Sequence, residues 1–185
     1  MNVLEAIHSR RSVGAVKKTP LRKDIIEKLL AAGNAAPNHF KIRPWRFIVL
    51  QGPALDKLAQ AHVDSFLKKN PDAKPEHLEI ERNKGYRSPL VIAVASTKPV
   101  EPKEKDVENI SAAAAACQNI LLAAHELGLG AIWRTAMYYF DADIKQCLGI
   151  TDDQHLIGVL CIGESENYDT TPAERPSYED RTTWL

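Results

Sequence analysis

The stretch Val107-Glu-Asn-Ile-Ser-Ala-Ala-Ala-Ala-Ala-Cys117-Gln-Asn-Ile-Leu-Leu-Ala-Ala-His125-Glu-Leu-Gly128-Leu-Gly130-Ala-Ile-Trp133-Arg134 decides how the chain is read. Val107, Ile110, Ala114, Cys117, Leu121, Ala124 and His125 recur at spacings of three and four. That is the period of a helix with one apolar face, and it predicts a long helix from about Val107 to Leu127. The five alanines at 112–116 let a neighbouring element approach closely. Gly128 and Gly130 then end the helix and turn the chain into a short strand, Ala131 to Arg134. A long helix feeding directly into a strand requires a sheet for that helix to cover.

Three more runs supply that sheet. Leu90-Val-Ile-Ala-Val-Ala95 is a near-continuous apolar run, the pattern of a central strand covered on both faces. Trp45 to Leu50, bounded by Pro44 and Gly52-Pro53, and Leu156 to Ile162 read as further buried strands. Helices are expected near Leu4–Ser9, after Thr19-Pro20 through Ala32, from about Ala54 to Lys69, and over Asp141–Cys147. Residues 70–88 hold two prolines and many charges, and they read as a mobile connection with one surface helix, a candidate lid. After Gly163 the chain turns polar, then ends Thr-Thr-Trp184-Leu185, too apolar to be left in water. This segment, 164–185, reads as an extended arm that docks on a partner. The whole, 1–185, reads as one α+β domain.

Lys plus Arg number 24 and Asp plus Glu number 24, so no global positive field marks a nucleic-acid surface. The 44% apolar and 26% charged composition is that of a folded globular chain. Cys117, Cys147 and Cys161 form no C-x-x-C pair, so no disulfide framework or structural zinc is expected, and a reducing, cytoplasmic setting follows. No signal peptide and no apolar run of membrane-spanning length is read. The six histidines show no compact ligand spacing, so no metal is expected. Gly128-x-Gly130 follows a helix and precedes a strand, the reverse of a dinucleotide-binding loop. Gly163-Glu-Ser165 lacks the second glycine of a nucleophile elbow. What remains is Arg10-Arg11-Ser12 in a turn, Asn38-His39 ahead of Pro44-Trp45-Arg46-Phe47, and Trp133-Arg134-Thr135 after a glycine turn. Guanidinium groups with a neighbouring hydroxyl are the chemistry of a phosphate cradle, against the plainer reading of a solvated basic turn.

In this order and spacing, the N-terminal helix, Arg10-Arg11-Ser12, Ala36-Pro37-Asn38-His39, Arg43-Pro44-Trp45-Arg46-Phe47, the alanine-rich helix and Gly128-Leu-Gly130-Ala-Ile-Trp133-Arg134 resemble the FMN-dependent nitroreductase family, in particular its short, single-domain NAD(P)H nitroreductase branch. The resemblance runs from residue 3 to about 163. It implies a mixed, mainly antiparallel central sheet flanked by helices. It also implies a homodimer with two FMN sites at its interface and a C-terminal arm exchanged between subunits. It places Arg10, Arg11 and Ser12 on the FMN phosphate and ribityl chain, Ala35 at the cofactor, and His39 at the flavin of the partner subunit. Trp133, Arg134 and Thr135 fall near the flavin and phosphate on the other side, and Ala123, Ala124, His125, Glu126, Leu127 and Gly128 where NAD(P)H is met.

The implied activity is a ping-pong one. A reduced nicotinamide passes hydride to the flavin and leaves, and an electron-poor small molecule such as a nitroaromatic or quinone takes its place. No side chain is assigned as a catalytic acid, and neither nucleic acid nor membrane is an expected partner. The alternative is a non-catalytic FMN-binding sensor or store on the same scaffold. Four departures from the family pattern bear on cofactor affinity. Gly14 stands where a further arginine is common, Arg43 where glutamine precedes Pro-Trp, and Ala35 where related members carry arginine. The tail lacks paired basic residues, leaving Arg175 or Arg181 as substitutes.

Overall fold

A computed structural model describes residues 2–167, 171 and 174–185; parts of the predicted arm, 168–170, 172 and 173, lie outside the described residues. In chain order the elements are α1 (Val3–Ser9), α2 (Lys23–Asn34), β1 (Trp45–Gln51), α3 (Pro53–Lys69), α4 (Pro75–Lys84), β2 (Leu90–Thr97), α5 (Asp106–Glu126), β3 (Leu129–Arg134), α6 (Ala142–Cys147) and β4 (Gln154–Glu164). Short 3-10 turns occupy His39–Lys41, Met137–Phe140 and Glu179–Arg181. The strands form one sheet in the order β1-β2-β4-β3, antiparallel at every pairing among the described residues. No parallel pair of the expected mixed sheet lies within this set.

The continuous apolar run of β2 is explained by its position between β1 and β4. Its alternate residues Leu90, Ile92 and Val94 point into a core shared with α2 and α5, and Val91, Ala93 and Ala95 into a second core shared with α3 and α6. A register shift between Val94, which pairs with Gly158, and Ala95, which pairs with Leu156, leaves Ile157 of β4 without a paired residue on β2. The alanines of α5 let that helix lie close: Ala113, Ala116 and Ala124 have no exposed surface, and a side chain at Gly33 of α2 would meet Ile120 at 2.9 Å.

Two local expectations are corrected. Thr19-Pro20 does not cap α2, which begins at Lys23 with Arg22 as its N-cap and no side-chain cap bond. The side chain of Gln51 holds Leu21 extended, accepting from its N–H at 2.9 Å and donating to its carbonyl at 3.0 Å, so the helix can start only beyond that clamp. The connection 70–88 carries the surface helix read from sequence, but it is held down rather than loose. It forms α4, seated on α3, with Gly85 so close to Ala59 that an added Cβ would lie 2.5 Å from its Cα, and with Tyr86 donating to Asp56 at 2.7 Å.

His62 of α3 is 2% exposed. Burial first, then the charges of Lys84 and Arg87, lower its pKa from 6.5 to about 4, against an opposing effect of Asp141. The folded state therefore holds His62 neutral while the unfolded chain takes up a proton below about pH 6.5. Its contribution is fully present above that pH and declines as pH falls toward 4. Acid titration of thermal stability should show this slope, and His62→Leu should flatten it between pH 6.5 and 4.

Candidate functional site

Asn2 caps α1 by accepting from the Glu5 N–H at 2.9 Å, while Glu5 accepts from the Asn2 N–H at 3.0 Å, a reciprocal box that fixes where the helix starts. At its other end Ser9, 4% exposed, donates to the Glu5 carbonyl at 2.7 Å and meets His125 Nε2 of α5 at 2.7 Å. Arg10 is the next residue. Anchored there, the chain wraps over the β3 edge. Val13 donates to the Ala131 carbonyl at 2.9 Å, Val16 bridges to Ser165, and Lys17 donates to the Glu164 carbonyl at 2.9 Å. Gly130 and Gly163 make this passage possible, because a Cβ on either would stand 2.7–2.9 Å from a neighbouring side chain, Val16 among them in both cases. The glycine at 130, read from sequence as a turn, is thus a place of close approach.

The wrap sets the Arg10-Arg11-Ser12 segment beside the end of β3. A Cβ at Gly14 would lie 3.5 Å from Arg134 Nη2, so the Arg134 guanidinium stands next to the position where an arginine was expected. Arg134 Nε and the Ser165 hydroxyl are buried and have no hydrogen-bonding partner. Burial, and then the like charge of Arg175, push Arg10 below its ordinary value. Arg175 was one of two substitutes offered by the tail, and it is the one whose charge reaches Arg10. A guanidinium with an orphaned buried donor is electrostatically incomplete and suits a phosphate group. Trp133 donates to the Ile157 carbonyl at 3.4 Å and packs against Gly158, where a Cβ would fall 2.0 Å from its Nε1. Thr135 and Ser12 are exposed.

The other sequence-predicted residues fall along α5. Ala35 shares an open groove of about 520 Å³ with Asn2, Ala6, Asn119, Leu122 and Ala123. Of the six residues at 123–128, Ala124 and His125 face the core, with 0% and 5% exposure, while Glu126 and Gly128 are exposed. His39 lies toward the opposite end of the helix. Its Nδ1 meets Glu108 at 3.0 Å, and both line a second groove, of about 560 Å³. His39 stacks on Phe40, with ring centroids 3.9 Å apart. Phe40, Lys41 and Arg43 all adopt positive φ, an arrangement that costs conformational energy and clusters at functional loops.

The stretch of α5 from Glu108 to His125 is about 25 Å long at ~1.5 Å per residue. Within one chain, therefore, His39 and the Arg10–Ser12 segment stand at opposite ends of the helix, farther apart than one mononucleotide spans.

Sequence reasoning missed the Ser9–His125 bond and the His39–Glu108 pair. No periodicity carries a signal for contacts of such separation. Burial pushes the Cys117 thiol up to about 12 and raises Cys147 as well, so neither is an activated nucleophile. Among the described residues no cluster of histidine, cysteine and carboxylate side chains fits a metal ion, and no helix is long and apolar enough to cross a membrane.

Comparison with known proteins agrees with this architecture. The Bacillus subtilis (strain 168) protein named "Putative NAD(P)H nitroreductase YfhC" is 27% identical over 179 residues, covering 96% of this chain and 88% of its own length. The crystal structure of a nitroreductase-like family protein from Bacillus cereus superposes with a TM-score of 0.86 at 25% identity, covering 100% of this chain and 96% of that one. A Desulfovibrio desulfuricans structure described as "a putative nitroreductase in complex with fmn" superposes with a TM-score of 0.75 at 25% identity, covering 100% of this chain and 97% of that one. The model of the nitroreductase family matches residues 7–164, and this chain belongs to that family.

Proposed function

We propose that this protein is an FMN-dependent NAD(P)H oxidoreductase that reduces electron-poor small molecules such as nitroaromatics or quinones in a ping-pong cycle. The observation that carries the reading is the buried Arg134 Nε left without a partner, with the Arg134 guanidinium beside Gly14, two residues after Ser12 of the Arg10-Arg11-Ser12 segment. FMN, when bound, accepts two electrons from a reduced nicotinamide and passes them to the acceptor. The chain's own contribution is binding and positioning. Arg10, Arg11 and Ser12 hold the phosphate and ribityl chain, Arg134 and Thr135 close on the phosphate from β3, and Trp133 stands near the ring. Ser9, bonded to His125, fixes the start of this cradle. The accessible residues at 123–128 offer the nicotinamide a surface at the end of α5.

The working unit in this reading is a homodimer of single-domain subunits. The length of α5 between His39 and Arg10 supports it, since His39 reaches a flavin only if that flavin is held by a second copy. Exposed Val3 and Val107 line the two grooves along α5, and Leu4 and Ile7 of α1 are exposed as well, apolar surface that a second copy would cover. Trp184 and Leu185 are 86% and 119% exposed, and β1 is an open sheet edge on which an arm from the other subunit can dock. Removing residues 180–185 should loosen the dimer. Sedimentation should show a larger monomer fraction at the same concentration, and an unchanged profile would exclude the arm from the interface.

The function is tested by the visible absorbance of the purified protein, identification of the released chromophore, and NAD(P)H oxidation with and without a nitroaromatic or quinone. A yellow protein releasing FMN and consuming NAD(P)H in the presence of acceptor is expected. Bound FMN with no turnover for any acceptor would favour a flavin store, and failure to take up FMN would end both readings.

A further inference from the structure

The helix that delivers Arg10 is seven residues long, too short to be stable by its own hydrogen bonds, so its orientation is set by what it touches. Ala6 and Ser9 are the buried residues of α1, whereas Val3, Leu4 and Ile7 are exposed. An alanine methyl packs without fixing a direction. A hydroxyl does fix one. Ser9 Oγ lies 2.7 Å from the Glu5 carbonyl and 2.7 Å from His125 Nε2. The carbonyl can only accept and a serine hydroxyl has one hydrogen, so that hydrogen goes to Glu5, and the Ser9 oxygen must accept from His125. The histidine proton is therefore on Nε2.

His125 is the fixed member of the pair. It sits in the last turn of α5, beside Ala124 and one turn after Leu121, both of which belong to the core shared with α2 and the sheet. The family resemblance assigns the stretch 123–128 to NAD(P)H, yet the His125 ring is turned inward, 5% exposed, and meets α1 instead. Burial, and then the charge of Arg10, hold its pKa below the ordinary value, with Glu126 opposing, so the ring is uncharged at neutral pH. Arg10 comes directly after Ser9. Its N–H donates to the Ala6 carbonyl at 3.0 Å, and its ψ of 130° turns the chain out of the helix. The roll of α1 about its axis thus decides where the planar guanidinium fork points, and a fork binds phosphate well only when both of its arms are aligned.

Resting on the flavin reading above, the geometry points to His125 as a positioning residue for the cofactor phosphate: its Nε2–H, donated to Ser9, fixes the roll of α1 and so aims Arg10. This gives the buried histidine of the 123–128 stretch a part in holding FMN and leaves the nicotinamide to the accessible residues around it.

Two measurements test it. In the FMN-loaded protein, long-range 1H–15N NMR of the imidazoles should show the His125 proton on Nε2. In FMN titrations of apoprotein, His125→Leu and Ser9→Ala should each raise Kd about five- to tenfold, the scale of one hydrogen bond. The double variant should go no further, because either change removes the same bond. His125→Gln keeps an N–H donor near the place of Nε2 and should bring Kd back to within about twofold of the unaltered protein, a rescue that packing alone does not predict. Ser9→Ala decides the matter even if His125→Leu does not fold. A proton on Nδ1 with none on Nε2, additive effects of the two changes, or Ser9→Ala binding FMN as tightly as the unaltered protein would overturn the inference and leave the flavin reading standing. Failure of the unaltered protein to take up FMN would end the flavin reading and this inference with it.

Discussion

Arg10→Ala is expected to weaken FMN binding by about 1.5–3 kcal/mol, roughly a 10- to 150-fold rise in Kd, the range for losing a hydrogen bond to a charged group. Arg10 follows Ser9, which is pinned to His125, and the chain beyond it is pinned to β3 through Val13, so the side chain projects from a backbone held on both sides. Such a group loses little entropy on meeting a phosphate, and its removal cannot be made good by a neighbour swinging in. Arg175 shares the neighbourhood and keeps part of the field, which sets the upper bound of the effect. Flavin fluorescence titration of apoprotein at fixed salt measures it. An affinity equal to that of the unaltered protein would remove Arg10 from the cofactor site.

Ile120→Ala should destabilise the fold by about 2–5 kcal/mol, the cost of removing buried methyl groups and leaving a cavity. Ile120 has no exposed surface and sits in the core that α5 shares with α2 and the sheet. Gly33 stands against it so closely that an added Cβ would meet Ile120 at 2.9 Å, so the helix crossing depends on its shape. For a chain of this size, each kcal/mol lowers Tm by about 2–4 °C, so a drop of roughly 4–20 °C is expected. Thermal unfolding at a single protein concentration, with flavin held constant, checks it, since both dimerisation and ligand shift the apparent stability. A shift under 2 °C would mean that α2 and α5 collapse into the vacated space.

Helix and strand positions were legible because their signals are local. The apolar run at 90–95 and the three-and-four spacing over 107–127 locate β2 and α5 to within two residues. Where the reading slipped, a contact distant in sequence overrode a local cue. Thr19-Pro20 is a good helix start in isolation, but Gln51 holds Leu21 extended. The charged, proline-bearing 70–88 stretch reads as a loose connection, but Gly85 lets it seat on Ala59. At the candidate site the residue types were readable and their partners were not. The family pattern marked Arg10, Arg134 and His39, but nothing in the order of residues announced that His125 would hold Ser9, that Glu108 would take His39, or which of Arg175 and Arg181 would act on Arg10.

By itself, the order of amino acids determined the alternation of helices and strands, the two-sided burial of β2 and the family to which the chain belongs, because periodicity and short motifs act over a few residues. Only the tertiary structure decided which distant groups meet: Arg134 beside Gly14 at the β3 edge, the separation of His39 from Arg10 along α5, and the burial of His62 near Lys84, Arg87 and Asp141. The physical reason is that hydrogen bonds and charge pairs depend on separations of a few ångströms in space, and those separations are set by sheet order and close packing across the whole chain.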